Sequence, residues 1–473
     1  MRISNKLLLL ILISIFGGLL RFLLISKYGP WADERITIGI ANGLLIDEPI
    51  EKLVFTHQDI IAQNTPRNVL RATISDNGNS IFYNFSLHYW IQLWGNVEIS
   101  ARALSALLSL SLVFIGYVFA EKIFKSDFVS IIVALFFSIH PLFIQDAHEV
   151  RSYSMATFLS FISSYILYLI ISGESKFIYL YFLYTITATL SLLSHYLTGY
   201  VFVAHFLVFI YTIRDRRSWF KYLISCGIMC CCFLFWLIIG GLSGLNTLSK
   251  QFSGWETQIN NLNPYLLPVS FKNIVAGWVQ VFLQIFGNSI QDFGLRLREI
   301  WFLLVFPFAI LGIAFFNLRE PSDKKKFVVL FILTFTQIGF ATITALKQGH
   351  CRPFLVAYAV FASPYALLIL AYSLCIIKQL NKKVFIGLFL VVSIFMITST
   401  LPTFFDKHGN STPRPRNPYF LKAQSICNSI QKNDTIKFHD FRTAKLINIY
   451  LPENIEIIQT IDSISGIKIE DYR

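Results

Sequence analysis

Two adjacent carboxylates, Asp33 and Glu34, follow the first long apolar run of the chain within the sequence W-A-D-E. A carboxylate near a low-dielectric boundary is harder to ionise than one in water, and it can then serve as a general base. Consecutive residues of a helix point about 100° apart, so only one of the two can face a reacting group directly. We predict Asp33 as the catalytic base and Glu34 as the second candidate. Solvated charges at a helix end are the alternative interpretation.

A second concentration of ionisable side chains lies in the sequence H-P-L-F-I-Q-D-A-H-E-V-R-S-Y at 140–153, in a short turn between two apolar runs. So many charges at a membrane boundary cost free energy, which favours a functional site. We predict Glu149 as a second essential acid, which orients an acceptor or assists a cation, and Arg151 as a contact of a donor phosphate. His148 and Tyr153 are predicted to contact substrate. A local ion pair between Glu149 and Arg151 that only caps a helix is the alternative.

Two further turns between apolar runs carry histidines and cations. One contains His195 and Tyr196, and the other has the sequence K-Q-G-H-C-R-P, with Lys347, His350 and Arg352. A guanidinium binds phosphate oxygens through two parallel hydrogen bonds, so the second cluster predicts a phosphate clamp. Long cations that reach from a helix end to the lipid headgroups are the alternative for this cluster. His195 and Tyr196 are predicted to contact substrate, and for His195 the alternative is a purely structural role.

The elements that must position these turns are membrane helices. The chain is 55% hydrophobic and 14% charged, with a mean hydropathy of +0.59, and a spanning helix needs about 20 mostly apolar residues. We predict an all-α polytopic membrane protein with about 11 transmembrane helices. The predicted spans are 5–26, 99–120, 127–144, 153–172, 177–194, 196–213, 219–240, 300–318, 327–346, 353–377 and 384–401.

The net charge of +13 does not predict a nucleic-acid-binding protein, because the basic residues are spread over alternate short loops between the spans. An excess of lysine and arginine marks cytoplasmic loops. The N-terminus is then cytoplasmic, the C-terminus lies on the other side, and all the candidate turns are extracytoplasmic. We expect a bacterial plasma (inner) membrane. The basic loop residues are Lys122, Lys125, Lys176, Arg214, Arg216, Arg217, Lys221, Lys324, Lys325, Lys326, Lys378, Lys382 and Lys383.

Three long regions fall outside the predicted membrane core, at 27–98, 241–299 and 402–473. The second contains apolar residues at helical spacing over 271–287, which predicts an amphipathic helix in the interface plane. The third has short alternating runs, including T-I-K-F and I-E-I-I-Q-T, and predicts a small α/β appendage that docks on the rest. We therefore divide the chain into a transmembrane unit at 1–401 and an extracytoplasmic C-terminal tail at 402–473.

The motifs exclude several chemistries. The seven cysteines lack the spacing of a zinc site or a disulfide framework, and no metal site is predicted. No phosphate-binding glycine loop, dinucleotide fingerprint or serine-hydrolase elbow is present, which disfavours a soluble nucleotide donor. Acids that can deprotonate an acceptor, together with cations that can hold a phosphate leaving group, favour group transfer from a lipid-linked phosphate. No cofactor is predicted, and the sequence gives no support for a divalent cation at the acids.

The motifs in their order resemble those of the membrane-embedded glycosyltransferases with the C-type (GT-C) fold. The resemblance is to the bacterial branch with protein O-mannosyltransferase-like enzymes, the aminoarabinose transferase of lipid A and the Rhizobium galacturonosyltransferases. W-A-D-E matches their first-loop acidic motif, and the sequence D-N-G-N-S-I-F-Y-N-F-S-L-H-Y-W at 76–90, followed by Arg102 and Ser105, matches a loop usually written with P-P-L-Y-Y. Within that loop Tyr83 is a substrate-binding candidate, as is Arg102. The stretch from His140 also matches, and clear likeness covers roughly residues 5–215.

This resemblance implies a polyprenyl-phosphate sugar donor, inversion at the anomeric carbon and lipid phosphate as the leaving group. It also implies a cavity beneath amphipathic helices of the first loop. The acceptor would be a cell-envelope glycan, lipid A or a protein. Two departures stand out: Ser80 and Ile81 replace a proline pair, and His148 replaces the usual glutamine before Glu149.

Two other functions are alternatives. A transporter or flippase for lipid-linked saccharides would carry charged residues or helix breaks at mid-span and pseudo-symmetric halves, whereas glycine and proline here cluster near span ends. A ligase that moves a whole glycan is barely separated by sequence from an enzyme that moves one sugar. The sugar and the acceptor are not specified by any motif.

Overall fold

The structure is a computed structural model. It describes residues 5–23, 25, 32–45, 54–55, 64–95, 98–173, 178–242, 268–287, 297–351, 354, 360–405, 435–438 and 456–459.

The described part of the chain is dominated by α-helices. In chain order they are α1 (Asn5–Phe22), α2 (Ala32–Ala41), α3 (Pro66–Ser75), α4 (Ile81–Trp94), α5 (Glu98–Phe124), α6 (Asp127–Ile139), α7 (Pro141–Ala147), α8 (Tyr153–Ile171), α9 (Ile178–Ser194), α10 (Gly199–Thr212), α11 (Arg216–Trp236), α12 (Phe271–Ile285), α13 (Leu297–Asn317), α14 (Pro321–Gln348), α15 (Ser363–Leu380) and α16 (Lys382–Phe405). A 3₁₀ turn (Tyr196–Thr198) precedes α10, and a π-helical segment (Leu237–Gly241) continues α11.

Each of the eleven predicted runs contains an apolar helix. Among the described residues, seven helices are long and apolar enough to cross a membrane: α1, α5, α8, α11 with its π segment, α14, α15 and α16. An eighth span results if α6 and α7 are one bent element, and the remaining runs correspond to shorter apolar helices. The prediction of a polytopic helical membrane protein is therefore confirmed, and the count of eleven crossings stays a prediction. The predicted run at 353–377 begins before its helix, because α15 starts at Ser363.

The bend between α6 and α7 measures 50° and lies at the sequence His140-Pro141. Proline lacks a backbone N–H and cannot continue a helix upstream of itself, so it begins the next one. The carbonyls thus freed near the end of α6 are bound by Arg21 of α1, which donates hydrogen bonds to Phe137 O and Ser138 O at 2.9 Å each. A fully buried cation at the negative end of a helix dipole fixes the position of this break.

Basic residues gather at one end of the helix bundle. Lys122 lies in the last turn of α5, and Lys378 in the last turn of α15. Lys6 of α1 donates to Glu121 at 2.7 Å and also to Asp127, so the chain's N-terminal helix starts at this same end. We call the end that carries Lys6, Lys122 and Lys378 the basic end of the bundle. The candidate site lies at the opposite end.

The first long loop folds into α2, α3 and α4, joined by a tight turn at 76–80. Thr65 caps α3 by accepting a hydrogen bond from Asn68 N. The turn has positive φ at Asn77, Gly78 and Ser80, each 65°. Proline is held near φ −65°, so a proline could not occupy position 80 in this backbone conformation.

The tip of that turn is clamped against α11. Tyr196 OH donates to Gly78 O, and Trp236 Nε1 donates to the same carbonyl at 2.9 Å. A Cβ at Gly78 would lie 2.7 Å from Gly241 Cα, so the approach requires glycine. Gly241 ends the π-helical segment, an element that often occurs at functional sites.

Three short strands form one sheet in the order β1-β3-β2, with β1 at Val54–Phe55, β2 at Thr435–Phe438 and β3 at Glu456–Gln459. β3 pairs antiparallel with β1 and parallel with β2. Both tail strands fall in the two runs predicted for them, and the first loop contributes the third strand. The tail thus docks on the first loop. The helical part of the predicted appendage lies outside the described residues, and the boundary at 401/402 stays a prediction, with α16 running on to Phe405.

Helix α12 occupies most of the stretch predicted to be amphipathic. Phe271 is exposed at one end, while the opposite face of the helix is buried. Its buried face packs on three other segments. A Cβ at Gly277 would meet the ring of Phe354, and Phe282 packs against Phe308 of α13 at 5.0 Å and against Phe335 of α14 at 5.5 Å. The predicted helix is present, and it packs against α13 and α14.

Candidate active site

The candidate site centres on an ion pair between Asp33 of α2 and Arg151 of the turn before α8. Arg151 Nη2 lies 3.6 Å from Asp33 Oδ2, and the side chains are 24% and 42% exposed. Arg151 Nη1 also donates to Thr37 Oγ1 at 3.1 Å and to Asp33 O at 3.4 Å. The carboxylate of Asp33 is therefore partly accessible, while hydrogen bonds to Thr37 Oγ1 and Asp33 O hold the guanidinium of Arg151 in place.

The neighbouring acid, Glu34, has a different environment. Arg102 of α5 binds it with two parallel hydrogen bonds of 2.9 Å, and Val150 N donates to Glu34 Oε1 at 2.8 Å. The side chains of Glu34 and Arg102 are 1% and 4% exposed. Arg102 also donates to Glu98 and, at 2.6 Å, to Ile25 O. Glu34 thus joins α2, α5 and the turn that carries Arg151.

Arg151 has a second acidic neighbour that the sequence analysis did not select. Burial lowers the pKa of Arg151, but the negative charge of Asp33, supported by Tyr153 and Asp76, outweighs this effect and raises the pKa. Asp76 follows α3 and begins the positive-φ turn at 76–80. The sequence D-N-G-N that begins with Asp76 predicts a turn, so Asp76 was interpreted as part of a turn and not as a residue of the site. Arg151 is cationic at every physiological pH.

An aromatic stack supports Arg151 from behind. Its guanidinium carbon lies 5.9 Å from the centroid of the Tyr153 ring, which lies 5.1 Å from the His195 ring. His195 in turn packs on Phe361 at 5.5 Å. Burial first, and then the charge of Arg151, lower the pKa of His195 to about 3, so this histidine is neutral. Its Nδ1 accepts from Leu197 N at 3.2 Å, which fixes the ring in the stack.

Tyr83 and Tyr196 reach the site through other residues. Tyr83 OH is 3.2 Å from Ser105 Oγ, and Ser105 Oγ donates to Arg151 O at 3.5 Å. Tyr83 is fully buried, and burial raises the pKa of its hydroxyl. Tyr196 holds the tip of the turn at 76–80, as described above. The structure places both tyrosines as supports around the site.

His148 and Glu149 lie beside Arg151 in the turn. His148 Nε2 donates to Leu20 O at 3.1 Å, near the end of α1, and burial lowers the pKa of His148 to about 4. Glu149 is buried, and its Oε1 accepts from Gln145 Nε2 at 3.4 Å. The ion partner described for Arg151 is Asp33, so the alternative of a local pair between Glu149 and Arg151 is not what the structure contains.

The predicted phosphate clamp is only partly described. Lys347 is exposed in the last turn of α14, and His350 is buried and bridges by its backbone to Pro268. Arg352 lies outside the described residues. The phosphate clamp therefore stays a prediction. Trp31, the first residue of the W-A-D-E sequence, also lies outside the described part of the chain.

Four helix ends meet at this site. α2 supplies Asp33, α5 starts with Glu98 and Arg102, α8 starts at Tyr153, and α9 ends next to His195. The end of α5 at the site is opposite the end that carries Lys122. Within the described residues, no group of three or more histidine, cysteine, aspartate or glutamate side chains could hold a metal ion.

Similar folds occur among solved membrane glycosyltransferases. ArnT from Cupriavidus metallidurans in the apo state has a TM-score of 0.55 and 12% identity, over 94% of this chain and 85% of that chain. The same protein bound to undecaprenyl phosphate gives a TM-score of 0.53 over the same shares. The oligosaccharyltransferase of Archaeoglobus fulgidus in the apo form gives a TM-score of 0.53 and 10% identity, over 97% of this chain.

The chain spans 65% of the length of the archaeal oligosaccharyltransferase. No protein-family model matches the sequence, and no curated protein matches it. At identities of 10–12% these likenesses show the fold. The protein is therefore a multi-pass membrane protein with a GT-C-like fold, and the fold expected from the resemblance is confirmed.

Proposed function

We propose that the protein is a glycosyltransferase that moves a sugar from a polyprenyl-phosphate donor to an acceptor hydroxyl on the extracytoplasmic side of a bacterial plasma (inner) membrane. The observation that carries this proposal is the half-exposed Asp33–Arg151 pair at the ends of four helices in a GT-C-like fold. One similar structure, ArnT of Cupriavidus metallidurans, is bound to undecaprenyl phosphate. A lipid phosphate is thus the donor class that the fold and the charges support best.

In this reaction Asp33 accepts the proton of the acceptor hydroxyl as that oxygen attacks the anomeric carbon. The bond from that carbon to the phosphate oxygen breaks, the configuration inverts, and polyprenyl phosphate leaves as a dianion. A general base of this kind contributes about 10²–10⁴-fold to the rate. Asp33 is the better base because its carboxylate is accessible, whereas both oxygens of Glu34 accept hydrogen bonds in a buried pair. Glu34 then positions the turn through Val150.

Arg151 binds the departing phosphate in this proposal. A guanidinium is a bidentate partner for phosphate oxygens, and its stack on Tyr153 and His195 limits the motion of its charge. Glu149 supports the acceptor side of the same turn. Six other residues hold these elements in place: Arg102, Tyr83, His148, Tyr153, His195 and Tyr196. The candidates for a second contact with the donor phosphate are Lys347, His350 and Arg352.

The experiment is a reconstituted transfer assay. Purified protein in proteoliposomes receives a synthetic polyprenyl-phosphate sugar and a lipid extract of the source membrane, and mass spectrometry follows the appearance of free polyprenyl phosphate with a glycosylated product. Both products should form in equal amounts. Flipping of the donor without cleavage would identify a flippase, and a product that gains several sugars at once from an oligosaccharide donor would identify a glycan ligase. Either result contradicts the proposal.

A further inference from the structure

A groove with a volume of about 420 Å³ runs between α9 and α11, away from the candidate site. Its lining is almost entirely apolar and includes Tyr181, Thr185, Leu190, Ile224 and Ile228. At one end the lining includes Lys221, whose Nζ lies 5.5 Å from the centroid of the Tyr181 ring. The groove is thus an apolar channel with a cation at one end.

The spacing of the lining residues shows that the groove follows the seam of the helix pair. On α11 the lining positions are Lys221, Ile224, Ser225, Ile228 and Cys232. They fall at i, i+3, i+4, i+7 and i+11 and so share one helix face. Ile224 is 46% exposed and Ile228 is 50% exposed. These side chains form an open wall toward the surrounding membrane.

The length of the groove matches one leaflet of a bilayer. The lining of α9 runs from Ile178 to Leu190, which corresponds to about 18 Å at the rise of an α-helix. The hydrocarbon core of a bilayer is about 30 Å thick, so one leaflet measures about 15 Å. A lipid chain that fills the groove would therefore extend from the membrane surface to about the bilayer centre.

The charged end of the groove belongs to the basic end of the bundle. α9 begins at Ile178 beside this end and finishes at Ser194, next to His195 of the candidate site. Lys221 is four residues after Arg217, so both lie on one face of α11, and Arg214 and Arg216 are exposed nearby. Asp215 immediately precedes α11, and its hydrogen bonds with Ser218, followed by the charge of Arg217, lower its pKa. The balance of charge is cationic.

We propose that this groove binds an anionic phospholipid of the leaflet opposite the candidate site, with one acyl chain between α9 and α11 and the headgroup phosphate on Lys221. The apolar walls, the length of one leaflet and the cation at the surface end each fit this lipid. A polyprenyl phosphate fits less well, because the groove ends near mid-membrane and its charged end is on the side away from Asp33. This lipid site is independent of the transfer reaction.

Native mass spectrometry of the purified full chain tests the proposal. Wild-type protein is equilibrated in detergent with equal amounts of phosphatidylglycerol and phosphatidylcholine, and bound lipid is counted. We expect one phosphatidylglycerol to be retained preferentially. Lys221→Gln should lower that occupancy about fivefold, the effect of one basic side chain at a membrane surface. Lys325→Gln removes a basic residue at the same end of the bundle but outside the groove, and it should change nothing.

A second pair of variants tests the groove itself. Ile228→Trp places bulk in the channel and should displace the lipid, whereas Leu223→Trp places the same bulk on a part of α11 that is 51% exposed and outside the lining. Equal retention of both phospholipids by the wild type would overturn the proposal. So would equal occupancy in Lys221→Gln and Lys325→Gln, or equal occupancy in the two tryptophan variants.

Discussion

Asp33 and Glu34 are neighbours in the chain, and each is paired with an arginine, yet the two pairs differ in almost every physical respect. Glu34 and Arg102 are buried and joined by two hydrogen bonds of 2.9 Å. Asp33 and Arg151 are partly exposed and separated by 3.6 Å. In the buried pair, both carboxylate oxygens of Glu34 accept hydrogen bonds from Arg102. In the exposed pair, the carboxylate of Asp33 remains accessible to another hydrogen-bond partner.

The difference follows from helix geometry. Since consecutive helical residues point about 100° apart, Glu34 on α2 faces α5 while Asp33 faces the turn before α8. A buried ion pair loses much of its Coulombic gain to desolvation, but the loss of one partner leaves an unpaired buried charge. An exposed pair contributes little to stability. Adjacent acids can thus be assigned separately, one to structure and one to chemistry.

The largest effect is expected from Asp33→Asn. Loss of the base should reduce transfer about 10²–10⁴-fold, while the free energy of unfolding changes by less than about 1 kcal/mol because the pair is exposed. The reconstituted transfer assay and thermal unfolding in detergent measure the two quantities. Asp127→Asn, which removes an acid at the basic end, is the control. A variant that keeps more than about a tenth of wild-type turnover would contradict the assignment of Asp33 as base.

The second effect concerns stability. Glu34→Gln removes the charge opposite Arg102 and should lower the free energy of unfolding by about 3–5 kcal/mol, because a buried guanidinium is left without its full partner. Thermal unfolding monitored by tryptophan fluorescence measures the loss. The double variant Glu34→Gln with Arg102→Met should be more stable than Glu34→Gln alone. If Glu34→Gln instead unfolds like the wild type and loses turnover, Glu34 is the base and the comparison of the two pairs is reversed.

The sequence predicted the helices and the membrane class because long apolar runs are a direct consequence of the bilayer's thickness. It also located the two tail strands, through the alternation in T-I-K-F and I-E-I-I-Q-T. It could not predict which arginine meets which acid. Asp33 and Arg151 are 118 residues apart, and Glu34 and Arg102 are 68 apart, so these pairs depend on how the helices pack.

Tertiary contacts also decided questions that the local sequence left open. Glu149 and Arg151 are close in sequence, which made a local pair the alternative interpretation of their turn, but Arg151 turns toward α2. Asp76 was hidden in a turn sequence, although the structure brings its charge near Arg151. Tyr196 gave no signal of its role as a clamp on Gly78, because that contact spans 118 residues.

A third prediction uses pH to separate the support of the site from its chemistry. Burial lowers the pKa of His148 to about 4 and that of His195 to about 3, against about 6.5 in the unfolded chain. Below pH 6.5 the unfolded state binds protons that the folded state does not, so stability falls as pH decreases toward these values. At pH 5 the loss is about 2 kcal/mol per histidine.

In His148→Gln, the decrease in the free energy of unfolding between pH 7 and pH 5 should therefore be about 2 kcal/mol smaller than in the wild type. Chemical denaturation at a series of pH values measures this. His88→Gln, at a histidine of α4 away from the Arg151 turn, is the comparison variant. A wild-type profile that is level from pH 7 to pH 5 would show that neither His148 nor His195 is kept neutral by burial.

The smallest expected effect is the difference in unfolding free energy between two arginine-to-lysine variants, Arg102→Lys and Arg151→Lys. Lysine keeps the charge but loses the planar fork that binds two carboxylate oxygens. Arg102→Lys should cost about 1–3 kcal/mol of unfolding free energy, because a buried charge-assisted hydrogen bond is lost. Arg151→Lys should cost less than about 1 kcal/mol, because the pair with Asp33 is partly exposed and wider than a hydrogen bond. Parallel unfolding curves of the two variants give the difference directly. Equal losses would mean that the two pairs are equally buried in the membrane-embedded protein, and the separation of structure from chemistry at Asp33 and Glu34 would then fail.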